Sequence, residues 1–282
     1  MAASEATVRG AVREAFQYWD LLKNLTQREL RSRYRRSALG FGWSLLQPAL
    51  MTLVYSVMLT RFLRVQQDPG TPSGIDIYAF FLLAGMLQYN FFSSSLNTGM
   101  GSIVNAGGLM TRVWFPRLLL PVSAVLALGV TFLIELGILT LAVTLVTQKM
   151  MLHLLPVALG LVALLALFTV GLTLWLAAVN VRFRDVEYLT TVLLLAYFYM
   201  TPIMYSPSFI PDTEFFGLGV SWRELALANP MARFAMAFRN VFYDITLPGL
   251  ETVLWLVGWS LLSAYLGIRY FVQRADRFAE MM

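Results

Sequence analysis

The chain has 282 residues, 58% of them hydrophobic and only 13% charged, with a mean hydropathy of +0.67 and a net charge of +5. Soluble domains carry about a quarter charged residues, so these figures exclude a soluble globular protein and indicate a polytopic membrane protein. With no cysteine and one histidine, His153, the chain has no thiolate metal site, cysteine nucleophile, His-dependent triad or multi-histidine metal centre.

In chain order, residues 1–36 are polar or amphipathic and lack the roughly 7–15-residue apolar core of a cleavable signal peptide, so the N-terminus is expected to stay in the cytoplasm. Residues 13–31 place Ala15, Tyr18, Trp19, Leu22 and Leu25 on one helical face. Gln17, Asp20, Asn24, Gln27, Arg28 and Arg31 fall on the other. The spacing predicts an amphipathic helix that lies in the cytoplasmic membrane interface or packs on a soluble partner. Next, Arg28, Arg31, Arg33, Arg35 and Arg36 crowd ahead of Gly40, Gly42 and Trp43. A charge cluster that turns into an apolar run marks a membrane boundary, and the positive-inside rule puts it in the cytoplasm.

Six apolar runs follow, near 43–63, 77–98, 118–147, 152–179, 188–206 and 250–272. Each is close to or above the ~20 residues that cross ~30 Å of hydrocarbon. Six spans return the C-terminus to the N-terminal side. That arrangement leaves fifteen Lys/Arg in cytoplasmic segments against six outside, in keeping with both termini in the cytoplasm. Asp68-Pro69-Gly70-Thr71-Pro72-Ser73-Gly74 reads as a short outer turn. The longer segment 207–249 mixes four prolines with aromatics and with Arg223, Glu224, Arg233, Arg239 and Asp244. It is too charged to span and too apolar for a free loop, so short helices in the outer half of the membrane, protected by the bundle, are expected.

The only lysines, Lys23 and Lys149, are not followed by Ser or Thr after a glycine, so no P-loop is present and any ATPase must be a second protein. Nucleic acid is not an expected partner, because the basic residues are distributed as for lipid headgroups and topology. Glu135 is the one ionisable side chain deep inside a predicted span, with either a hydrogen bond within the bundle or a functional role to account for it. Tyr197, Phe198 and Tyr199 before Pro202, with Tyr89, Phe91 and Phe92 in the second run, offer faces suited to sugar rings, or pack the bundle, or face lipid. Two cytoplasmic turns, 104–117 and 180–187, mix arginines with apolar residues, which suits either a soluble partner or anchoring.

The segments LGFGWSLLQPAL (39–50), RVWFPR (112–117), NVRFRDVEYL (180–189) and TPIMYS (201–206), with Asn229-Pro230, resemble in order and placement the permease subunits of ABC-type polysaccharide and polyol-phosphate exporters. The resemblance covers nearly the whole chain. It implies an all-α membrane protein of six transmembrane helices in the bacterial plasma membrane: an interface segment over 1–42 and a permease domain over 43–282, with 207–249 as outer gating helices. It further implies a homodimeric pore, a separate nucleotide-binding ABC ATPase subunit holding ATP and Mg, no cofactor in this chain, and export of a lipid-linked glycan such as O-antigen, capsule, teichoic acid or galactan. On that pattern Arg31, Arg33, Arg35 and Arg36 serve a substrate entrance, where guanidinium forks meet an anionic lipid head, or simply anchor topology. Tyr197, Phe198, Tyr199, Tyr89 and Phe92 would line a conduit. Arg112, Trp114, Phe115, Arg117, Arg182, Phe183, Arg184 and Asp185 would couple to the ATPase, with Asn180 and Asp185 expected to cap short helices that stiffen the second turn. Two alternatives stay open. One is an exporter of a drug or small lipid. The other is a membrane glycosyltransferase, which would normally show acidic catalytic or metal-binding residues at a membrane face, whereas the acidic residues here are scattered.

Overall fold

The computed structural model describes residues 8–34, 40, 42–62, 64, 68–106, 115–214, 217, 219–275 and 278, and among these the architecture is helical throughout. The N-terminal amphipathic stretch forms α1 (Val8–Gln17) and α2 (Trp19–Tyr34), joined at Tyr18 without loss of the hydrogen-bond ladder. Its apolar face is divided. Leu22 and Leu25 are buried, with Ala15 and Tyr18 alongside, against Phe115, Leu119 and Leu120, while Val12, Phe16 and Trp19 stay exposed at steps of four and three. The pattern therefore packs on the bundle on one side and leaves an exposed apolar strip on the other.

α3 (Gly42–Val57) continues into a wider π turn at Met58–Phe62 and carries Pro48 inside it. α4 (Tyr78–Asn105), α5 (Leu119–Thr147), α6 (Leu155–Arg182), α7 (Val186–Met200) and α10 (Leu250–Ala275) complete the long elements. Four helical stretches among the described residues are long and apolar enough to cross a membrane: Gly42–Phe62, Leu119–Thr147, Leu152–Arg182 and Leu250–Ala275. α4 has the length but not the apolarity, and α7 the apolarity but not the length. The reason for α4 is its place. It touches α3, α5, α6, α7 and α9 and buries Gln88 and Ser95 among aromatic rings, so its side chains meet protein where lipid would demand hydrocarbon. α7 stops at Met200 because Pro202 forces Thr201 into an extended conformation.

Between α7 and α10 the chain forms α8 (Trp222–Ala228) and α9 (Pro230–Arg239). Ser221 and Glu224 make a reciprocal capping box at the start of α8. Asn229 caps α9 by accepting from the Met231 N–H, and Pro230 occupies the first turn, where its missing N–H costs nothing. α9 is buried along most of its length. Phe234 tilts against Phe168 of α6 at 5.9 Å, and Phe238 meets Phe132 of α5 edge-on at 5.7 Å. The turn before α4 is fastened to the end of this unit, where the Thr71 N–H donates to Asp244 at 3.0 Å and Ser73 Oγ donates to the Tyr243 carbonyl.

α6 and α10 run parallel and approach backbone to backbone. A methyl group placed on Gly267 would lie 1.9 Å from the Gly171 carbonyl oxygen, and one on Gly171 would lie 2.3 Å from the Ser263 carbonyl group. Ser260 Oγ donates to the Leu164 carbonyl at 2.9 Å and Ser263 Oγ to that of Phe168 at 2.8 Å. Small residues with interhelical hydrogen bonds are how helices associate where lipid offers no hydrophobic drive.

Candidate functional site

Three groups of residues gather at one end or along one side of the bundle. The first is the end where α6 and α10 finish. Arg182 lies over the Phe183 ring at 5.0 Å, and Arg274 over Tyr270 at 3.6 Å, around a small cavity of about 80 Å³ that also touches Ala178 and Phe278. Phe183 is 54% exposed, and Arg184 and Asp185 are exposed beside it. Arg117 reaches the same end, its guanidinium donating to the Ala275 carbonyl. Phe115, by contrast, is buried against Leu22 and Leu119 and is not presented at the surface. Arg112 and Trp114 lie outside the described residues.

The expected stiffening of the 180–187 turn takes another form. Asn180 sits inside α6 and caps nothing; it is buried, and its amide donates to the Met100 carbonyl of α4 at 3.3 Å. Asp185 does precede the first residue of α7, but its side chain makes no capping hydrogen bond. The turn is held short instead by backbone bonds, Phe183 N–H to Val179 O at 2.9 Å and Val186 N–H to Phe183 O at 3.1 Å. Were a soluble partner to dock on this end, replacing Phe183 and Arg184 together by alanine would leave the bundle folded and loosen that partner by about 30-fold, since an aromatic and arginine pair at an interface centre contributes at least about 2 kcal/mol; pull-down on the membrane-embedded double variant measures this.

The second group holds the aromatic residues. Tyr89, Phe92 and Phe198 are buried and Tyr197 half-buried, in one cluster where Tyr89 and Phe198 meet edge-on at 5.2 Å and Phe92 stacks on Phe168 at 5.8 Å. The Tyr89 hydroxyl donates to the Leu194 carbonyl and that of Tyr197 to Asn229 Oδ1. Tyr199 alone of the five is exposed, at 55%, beside Phe198. The rings thus join α4, α6 and α7 and tie α7 to the cap of α9.

A third group was not legible as a unit. A cleft of about 410 Å³ opens between α3, α4 and α5. α3 contributes Trp43, Ser44 and Gln47; α4 contributes Asn90, Ser93 and Ser94; α5 contributes Thr131 and Glu135. Arg33 of α2 lines it too, and its guanidinium donates to Thr98 Oγ1 at 2.5 Å. Arg31 is exposed on the same helix, while Arg35 and Arg36 lie outside the described residues. Glu135 is 9% exposed and has no hydrogen-bond or ion-pair partner among the described residues.

Arg239, counted as an outer arginine, is buried at the end of α9, with its Nη1 donating to the Pro202 carbonyl at 2.8 Å and Nη2 to that of Ile203. Its guanidinium lies 3.7 Å over the Phe81 ring, in space left by Gly85. Nearby, burial raises the Asp244 carboxyl above the usual range, opposed by the Thr71 N–H and the Arg239 charge.

The chain is similar to known transport proteins. Residues 20–243 match the model of the family described as ABC-2 type transporter. The O-antigen export system permease protein RfbA of Myxococcus xanthus is 36% identical over 271 residues, covering 95% of this chain and 98% of that protein. Two proteins of the same name from Klebsiella pneumoniae are 28% and 27% identical, each covering 94% of this chain and 95% of its relative. An all-helical, multi-pass chain without a P-loop, alike from end to end to permeases of export systems, belongs to the ABC-2 type transporter family as a membrane permease subunit.

Proposed function

We propose that this permease moves a lipid-linked polysaccharide of the O-antigen type from the cytoplasm to the outer side of the bacterial plasma membrane, driven by ATP that a separate ABC ATPase hydrolyses with Mg. The observation that carries the reading is the end-to-end likeness to O-antigen export permeases, 36% identical in one case over nearly both whole chains. The absence of a P-loop lysine from the chain supports a separate ATPase subunit. In this reading six helices cross the membrane. α4, at 28 residues, extends about 42 Å and crosses inside the bundle, and α7, with 15 residues, crosses together with the turn at 201–206. Both termini lie in the cytoplasm, residues 1–42 form the interface segment, residues 43–282 the permease domain, and two copies make the pore.

The end of the bundle bearing Phe183, Arg184 and Arg117 faces the ATPase. Arg31 and Arg33, with Arg35 and Arg36, meet the anionic head of the lipid carrier. Tyr199, exposed beside the packed rings of Tyr89, Phe92, Tyr197 and Phe198, offers the conduit a surface, with the other four setting its position. Deletion of the chain in its host should abolish surface polysaccharide while the lipid-linked glycan accumulates inside; restoration should require this chain and its ATPase together. Normal surface polysaccharide in the deletion strain rejects the reading.

A further inference from the structure

The cleft between α3, α4 and α5 is a polar site inside an apolar bundle. Its walls combine apolar side chains such as Phe91 and Leu128 with neutral hydrogen-bonding groups, the hydroxyls of Ser93, Ser94 and Thr131 and the amides of Gln47 and Asn90. Such side chains are expensive at membrane depth unless something polar meets them. Glu135 sharpens the point. A carboxyl group brings two oxygens that can accept, and this one is nine-tenths buried, borders the cleft and has no hydrogen-bond partner among the described residues. A polar ligand that enters the cleft can supply one. Trp43, 49% exposed, adds an aromatic face, and Arg33 a cation held by Thr98.

We propose that this cleft receives the sugar next to the lipid of an anionic glycolipid, whose hydroxyls donate to Glu135 and exchange hydrogen bonds with Asn90, Ser93 and Ser94 while its C–H face lies on Trp43. Arg33 meets the anionic group that joins sugar to lipid. Neutral amides and hydroxyls outnumber charges along the walls, which suits a polyhydroxylated ring better than an ammonium head. α3 is well placed for the task, because it is largely exposed along its length and touches chiefly α4, so an amphiphile can pass beside it from the bilayer. The inference rests on the export reading above and assigns it a first binding station, distinct from the aromatic cluster of α4, α6 and α7.

Because the chain has no cysteine, Ser94→Cys introduces a single thiol. The probe is a small, water-soluble methanethiosulfonate reagent, applied to membranes holding the permease with an ATPase arrested by a hydrolysis-blocking substitution. The thiol should react readily in membranes from cells that cannot make the glycan. Reaction should slow several-fold where the lipid-linked glycan is present, and Glu135→Gln should remove that protection. Ser93→Cys gives the same reading from the neighbouring position if the first variant assembles poorly. Equal rates with and without the glycolipid overturn the proposal, as does protection that persists in Glu135→Gln. Protection already present in cells without the glycolipid means a phospholipid fills the cleft, and no reaction in either case means the cleft is closed; both also overturn it. Surface polysaccharide measured in cells carrying the unaltered permease separates the two claims: if export depends on the chain while labelling is unmoved, only this site is lost.

Discussion

Gly267→Val should unfold the α6 and α10 pair, and with it most of the assembled permease. The clash is between backbones. A Cβ at this position would lie 1.9 Å from the Gly171 carbonyl oxygen and 2.6 Å from its carbon, so no side-chain rotation relieves it, and the helices must part. Parting them also breaks the hydrogen bonds from Ser260 and Ser263 to the facing carbonyls, and exposes Gly171 and Gly267 to lipid that packs less well against a flat backbone. Overpacking in a side-chain interior costs about 1–3 kcal/mol; here the strain and the lost bonds together should exceed roughly 3 kcal/mol. Thermal unfolding of the detergent-purified variant should begin roughly 10 °C lower than the parent. An unchanged midpoint would mean the helices tolerate a wider separation. Gly137→Val on α5 is the control, since nothing lies within 4 Å of a Cβ there.

Arg239→Ala should be nearly as damaging, through hydrogen bonding. The guanidinium donates to the Pro202 and Ile203 carbonyls and lies over Phe81, which joins the end of α9 to α4 and to the turn after α7. Truncation leaves buried carbonyls without donors at about 1–3 kcal/mol each, and empties the space beside Gly85. Lysine should rescue little, because one ammonium cannot reproduce a planar fork spread over two neighbouring carbonyls and a ring. The expected result is a permease that inserts but exposes the 201–249 region to protease. Equal protease resistance in Arg239→Lys and the parent would show that charge alone suffices.

These two residues mark where sequence reasoning ends. Apolar runs gave four of the long helices to within about three residues because lipid and bundle alike demand hydrocarbon over a fixed length. By contrast, α4 runs on to Asn105, past the run that ends at 98, and α7 stops at Met200, short of the run that ends at 206. The capping residues around Ser221 and Asn229 announce their helices locally. Arg239 carries no such signal: an arginine in a mixed segment looks like any outer charge until the carbonyls it meets, at 81 and 202–203, are brought together by the fold. Gly171 and Gly267 could have been paired by the small-residue spacing Ser260, Ser263, Gly267, since that stripe has no other use on an apolar helix.

The α4 helix shows a different limit. Its Gln88 and Ser95, buried against protein, and its Asn90, Ser93 and Ser94, which line the cleft, depress hydropathy in a segment that reads as a span, because the fold gives them surroundings other than lipid. The aromatic residues were legible as a group, but not their division into buried ring packing and one exposed face at Tyr199. Asn180 was misplaced for a related reason. Capping residues favour helix ends, yet a buried asparagine inside a helix is equally content with a neighbouring helix's carbonyl, here that of Met100.

The most direct test joins the permease and its ATPase in liposomes containing the lipid-linked glycan. Addition of ATP and Mg should carry the glycan across the bilayer, where an added glycosidase cuts it, only when both proteins are present; the permease alone should neither hydrolyse ATP nor move the glycan. ATP hydrolysis by the permease alone, or coupled hydrolysis by the pair that leaves the glycan on its original side, would contradict the account.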